Sequence, residues 1–211
     1  MIQEIRKRGI PTIAGNYDEG IGLNINECGC AYKTEEDKSM GKVYISFTNE
    51  IVHDAERKYL RNLPSQIRVE FSLNQHKISL LLVHGSPRKI NKYLFEDREE
   101  LSMIRILEQS NVDILCFGHT HKPYHRILKT GSGSEVRYRH AINTGSVGKP
   151  KDGDIRGGYV IIELDEHSTV FNEDSISVAF IRFEYDVEAA AKAVEDSPLP
   201  NAYAEMLRKA Y

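Results

Sequence analysis

Three short polar turns constrain this chain more than any other feature, because each comes directly after an apolar run of strand length. Gly15-Asn16-Tyr17-Asp18 follows Pro11-Thr12-Ile13-Ala14, His84-Gly85 follows Ser79 to Val83, and Gly118-His119-Thr120-His121 follows Asp113 to Phe117. In an open α/β sheet, polar side chains at the carboxyl ends of strands collect along one edge, where such folds place their ligands. Imidazole nitrogens and an amide oxygen gathered there suit a transition-metal ion of intermediate hardness. Each turn alone also has an ordinary reading. The histidine pair fits a surface loop, His84 fits a hydrogen-bonded structural residue, and Gly-Asn is common turn chemistry. It is their order and shared context that point to a site.

The other segments agree with an α/β chain. Residues 1–8 read as the last turns of a helix stopped at Gly9, and residues 10–15 as a short strand. Residues 21–42 read as a long polar loop, and Thr48 to Asn62 as a helix closed off by Pro64. Two strands flank the polar turn Asn74 to His76, which is a hairpin signal. Glu96 to Gln109 reads as a helix that turns Leu101, Ile104, Ile106 and Leu107 to the core. Four strand-like runs follow across residues 125–185, then two helices separated by Pro198 and Pro200. With no repeat and no composition break, a single domain over 1–211 and a layered α/β sandwich are expected.

A chain of 211 residues can bury a core without disulfides. Its 28 basic and 31 acidic side chains argue against a general nucleic-acid or membrane binder. Cys28, Cys30 and Cys116 form no pairing pattern, which fits a reducing compartment. Cys116 reads as core, and Cys28 and Cys30 as loop packing. No apolar run reaches the roughly 20 residues of a membrane helix, and the start has no signal-peptide architecture. A cytoplasmic protein is expected.

The succession Gly15–Asp18, Val83-His84-Gly85 and Gly118–His121, with the Gly-rich loop and strand of residues 143–164, resembles the later motifs of the calcineurin-like metallophosphoesterases. It is most similar to their small bacterial and archaeal phosphodiesterase–phosphatase branch. That resemblance implies a four-layer αββα sandwich. It also implies hydrolysis of a phosphodiester or phosphomonoester by a metal-activated hydroxide at a two-metal site holding Mn, Fe, Zn or Ni. Carried over by position, Asn16, His84 and His119 match ligands of the second ion and His121 a ligand of the first. Tyr17 stands where the family usually has a catalytic histidine; with a phenol pKa near 10 it is poorly matched to acid–base work at pH 7. Asp18 fits a residue that fixes the turn and orients a histidine. Arg88, shortly after His84, is the phosphate contact to test first.

The family completes its site with an earlier Asp-x-His motif and a Gly-Asp motif. Neither occurs here, and only 14 residues precede Gly15. The expectation is a domain lacking its first β-α-β portion, with Met1 an internal methionine and weak or absent activity for the chain as it stands. Its partner would be a small phosphorylated substrate, and a homo-oligomer is compatible with the sequence. The rival reading is a non-catalytic scaffold, as in the retromer scaffold subunit, or a single-metal binding protein on the same fold. Joint retention of Asn16, His84, His119 and His121 favours the enzyme.

Overall fold

The structure, a computed structural model, describes residues 1–211 except Lys33 and Gln75. Four helices come first: α1 (Ile2–Lys7), α2 (Asn16–Gly22), α3 (Glu35–Ile51) and α4 (Asp54–Arg61). Then follow β1 (Gln66–Leu73), β2 (His76–Val83), α5 (Glu100–Ser110), β3 (Ile114–Phe117), β4 (Tyr124–Thr130) and β5 (Arg137–Asn143). β6 (Gly157–Glu163), β7 (Ser177–Phe183), α6 (Val187–Glu195) and α7 (Ala202–Lys209) complete the chain. The first five strands form one sheet in the order β1-β2-β3-β5-β4, and β6 and β7 form a second. β2, β3 and β5 run parallel, and the two edge strands are antiparallel to their neighbours. Parallel neighbours need a crossover, and α5 supplies it between β2 and β3.

Alternation of side chains along each strand explains the layers. One face of the large sheet, with Leu81, Val83, Leu115, Phe117 and Leu128, packs on Met103, Ile106 and Leu107 of α5. The opposite face, with Ile78, Leu80, Ile114, Cys116 and Ile142, packs on Val160, Ile162 and Val178 of the small sheet. A third cluster joins Ile21, Ile45 and Leu60 of α2, α3 and α4. The result is the expected α/β sandwich, a central sheet flanked by helices.

Several local expectations are corrected. Residues 10–15 form no strand: Pro11 has no N–H to give to a ladder, and Ala14 N–H donates instead to Pro64 O at 2.9 Å. The polar stretch 21–42 holds the start of α3, announced by a Thr34–Asp37 capping box in which Asp37 N–H donates to Thr34 Oγ1 at 3.0 Å. The helix expected over Thr48 to Asn62 breaks between Ile51 and Asp54. Arg57 braces that break, donating to Asn49 Oδ1 and Asn49 O at 2.8 Å each and to Ile21 O at 2.5 Å. In α5, which begins at Glu100 rather than Glu96, Met103 is fully buried while Leu101 is 57 % exposed. The β1–β2 hairpin has Leu73 opposite His76, and Gln75 of its turn lies outside the described residues.

A buried histidine pair is expected to make the fold sensitive to acid. His140 pairs in register with Ile114 and so faces the layer between the sheets, fully buried. Its Nδ1 lies 2.9 Å from His125 Nε2, and its Nε2 has no hydrogen-bond partner among the described residues. Burial, reinforced by His125 and opposed by Asp113, pushes the His140 pKa from 6.5 down to about 4. Between those values the unfolded chain binds the proton and the folded chain does not, so stability falls as pH drops. From pH 7 to pH 5 His140 alone should cost roughly 2 kcal/mol of stability. Urea unfolding at the two pH values should show a smaller difference for His140→Phe than for the wild type. Equal differences would show that His140 does not carry the effect.

Candidate metal centre

The parallel strands β2, β3 and β5 end side by side, and their following turns are stitched together. Gly118 N–H donates to His84 O and Thr144 N–H to Phe117 O, both at 2.8 Å. Asn16 opens α2 from the Gly15 N-cap and reaches the same point. His84 Nε2 lies 2.8 Å from Asn16 Oδ1 and 3.0 Å from His119 Nδ1. Asn16 is 5 % and His119 6 % exposed. The Asn16 amide has a set direction: its Nδ2 donates to Cys28 O at 3.0 Å and to Cys30 Sγ at 3.1 Å, which turns Oδ1 to the histidines. Gly15 leaves room for this, since a Cβ there would come within 3.2 Å of His84 Cε1.

The Gly118–His121 turn is held in a costly shape. His119 and His121 have φ of 65° and 61°, left-handed values that cost a non-glycine residue about 1–3 kcal/mol each. Fully buried Asn143 offsets part of that cost. Its Nδ2 donates to Gly118 O at 3.1 Å and Thr120 Oγ1 at 2.8 Å, while its Oδ1 accepts the Gly145 N–H at 3.0 Å. His121 Nδ1 donates to Lys149 O at 2.6 Å, which leaves its Nε2 as the nitrogen with a lone pair. The sequence reading gave Asn143 no role of its own, although it opens the Gly-rich stretch of residues 143–164 that carries the resemblance.

All three histidines are held neutral at pH 7. Burial, then the neighbouring His119 and His121, lowers His84 to about 4. Burial, with Lys151 and Lys149 nearby and against the bond to Lys149 O, lowers His121 to about 4. Burial and Lys151 lower His119, partly opposed by the Asn91 backbone. Neutral imidazoles are the form that ligates metals. Two positive side chains border the group: Lys149, whose Nζ lies 4.8 Å above the Tyr203 ring and whose pKa burial and Lys151 lower to about 8, and Lys151 itself.

The other residues singled out from the sequence make different contacts. Tyr17 packs edge-on against Tyr44, with ring centres 5.2 Å apart, and bonds to Tyr32. Burial and Tyr32 hold its phenol well above the usual range. Asp18 accepts the Gly15 N–H at 2.8 Å and so closes the turn that carries Asn16; burial raises its pKa against that bond. Arg88 is exposed and donates to Gln109 of α5. Cys28 and Cys30, expected as unpaired loop residues, are joined as a disulfide with Cα atoms 5.5 Å apart. Their separation of two residues keeps them close, and the Asn16 amide contacts both, at Cys28 O and Cys30 Sγ.

Among the described residues no group of three or more His, Cys, Asp or Glu side chains gathers as a metal site. Counting the amide, Asn16 Oδ1 and His119 Nδ1 each approach His84 Nε2, at 2.8 and 3.0 Å. Metal–nitrogen bonds of about 2.0–2.1 Å in a tetrahedron keep donor atoms roughly 3.3 Å apart, close to the spacings seen. The donor types, one amide oxygen and two imidazole nitrogens, are compatible with a divalent ion.

Known proteins resemble this chain in family and in fold. The family model described as the calcineurin-like phosphoesterase superfamily domain matches residues 1–167. An uncharacterized protein of Methanocaldococcus jannaschii is 26% identical over 241 aligned positions, spanning 98% of this chain and 90% of its own. A metallophosphoesterase from Sphaerobacter thermophilus superposes with a TM-score of 0.67 at 22% identity, covering 100% of this chain and 81% of that one. A hypothetical protein from Pyrococcus horikoshii superposes with a TM-score of 0.70 at 20% identity, covering 98% and 75%. With more than half of its length matched by the family model and its strand-end histidines gathered at one edge, the chain belongs to the calcineurin-like phosphoesterase superfamily.

Proposed function

We propose that this protein hydrolyses phosphate esters with a divalent ion held by Asn16, His84 and His119. The observation that carries this reading is the convergence of Asn16 Oδ1 and His119 Nδ1 on His84 Nε2 at 2.8 and 3.0 Å. A divalent ion in that position supplies Lewis acidity to a phosphoryl oxygen and lowers the pKa of bound water. The chain's own contribution is orientation and charge. Asn143 holds the histidine turn, Cys28 O and Asp18 hold the Asn16 turn, and Lys149 and Lys151, whose charges are felt at His121, would attract a phosphate.

The reading extends to phosphodiesters and phosphomonoesters and to Mn, Fe, Zn or Ni, with His121 the nitrogen for a second ion. The substrate would be a small phosphorylated molecule. Tyr17, turned into the tyrosine cluster, takes no part in proton transfer on this reading. The test is metal removal. Protein stripped with a chelator should lose aryl phosphodiester and aryl phosphomonoester turnover by roughly 10³-fold, the loss of several kcal/mol of charge stabilisation, and manganese should restore it. A chain that binds no metal and turns over neither ester with any of the four ions would leave the scaffold reading in its place.

A further inference from the structure

The metal-side face of His119 is not its only contact. The Tyr93 ring lies against it with centres 4.1 Å apart, and Phe95 stacks on Tyr93 at 5.6 Å with the planes only 5° apart. The outer end of this column is open, since Phe95 is 49 % exposed. A single exposed aromatic is ordinary on a protein surface, but this one is fixed in place. Leu94 beside it is fully buried, Tyr124 Oη donates to Leu94 O at 2.9 Å, and Arg126 Nη1 donates to Glu96 O at 3.1 Å. Tyr93 is likewise tied by its phenol oxygen to the backbone of Ala31. A rigid aromatic surface thus begins at one metal-type ligand and ends in solvent, while Lys149 and Lys151 lie near the same histidines.

We propose that Phe95 and Tyr93 form a stacking platform for a planar aromatic part of the phosphate ester, a nucleobase in a nucleotide whose phosphate sits at Asn16, His84 and His119. This rests on the phosphate-ester reading above and adds the substrate class to it. Stacking a base on an aromatic side chain contributes about 1–3 kcal/mol by alanine substitution, and Phe95, 49 % exposed, has free surface to offer it. Parallel offset geometry, as between Tyr93 and Phe95, is the arrangement a further ring can extend.

The experiment uses the full chain loaded with zinc and a fluorescent ethenoadenosine monophosphate, followed by anisotropy. Adenosine monophosphate should displace the probe roughly tenfold better than glycerol phosphate, and Phe95→Ala should weaken nucleotide binding by about tenfold. Phe95→Trp should keep it, which separates stacking from a folding defect. Phenyl phosphate gauges the ring alone: if it competes as well as the nucleotide and is equally sensitive to Phe95→Ala, a nucleobase is not what the platform selects and the nucleotide assignment falls. Equal effects of Phe95→Ala on nucleotide and glycerol phosphate, or none on either, would overturn the platform. The kcat/KM ratio for the same two esters separates the two readings. Nucleotide binding without turnover removes the hydrolase and leaves the platform; turnover with a ratio unmoved by Phe95→Ala does the reverse.

Discussion

Replacing His84 with alanine is expected to remove bound metal and to lower phosphate-ester turnover by at least about a thousandfold. His84 Nε2 is the atom that meets both other donors, Asn16 Oδ1 at 2.8 Å and His119 Nδ1 at 3.0 Å. Without it those two atoms lose their common neighbour, and the remaining pair offers an ion too few ligands to hold it against water. Metal content per chain by mass spectrometry, measured beside turnover, checks the result. His167→Ala is the matched control, because that side chain is 83 % exposed and far from any ligand turn in the chain. Metal and turnover both surviving His84→Ala would move the centre away from these residues.

Phe117→Ala should cost about 3–5 kcal/mol of stability, the usual range for emptying a buried aromatic site. Phe117 is 2 % exposed and packs edge-on against Tyr124 with ring centres 5.7 Å apart, inside the cluster of Leu81, Val83, Met103 and Leu107. Its carbonyl also receives the Thr144 N–H at 2.8 Å, and the Gly118–His121 turn starts one residue later. Core packing and histidine placement are therefore coupled here. Urea unfolding at pH 7 should show the loss, and metal affinity should weaken in the same variant. A loss below about 1 kcal/mol would mean that Phe117 is not packed as described.

Much of the frame was legible in residue order. The apolar runs at 79–83 and 113–117 became β2 and β3, and the second-half runs became β4 to β7, because alternation and β-branched content report on local burial. The signals that misled were equally local. Residues 10–15 look like a strand, but a strand exists only where a neighbour accepts its hydrogen bonds, and Pro11 weakens the offer. Leu101 matches a helical core pattern, yet the face of α5 that meets the sheet is the one with Met103, Ile106 and Leu107. The Thr34–Asp37 cap could have been read as the start of α3, and it is a stronger signal than the polarity of the loop around it.

What the residue order alone determined is a set of candidate donors, Asn16, His84, His119 and His121, each shortly after an apolar run, of which only the histidines follow strands of the sheet. It could do so because strand formation and the turn that follows depend on neighbours a few residues away. Only the tertiary structure decided which of these atoms meet. It set the amide of Asn16 through Cys28 and Cys30, pinned the histidine turn on Asn143, paired His125 with His140, and sent Tyr17 to Tyr44. Those contacts join residues 12 to 27 positions apart, and their geometry follows from how the layers pack, a long-range outcome that no local pattern encodes.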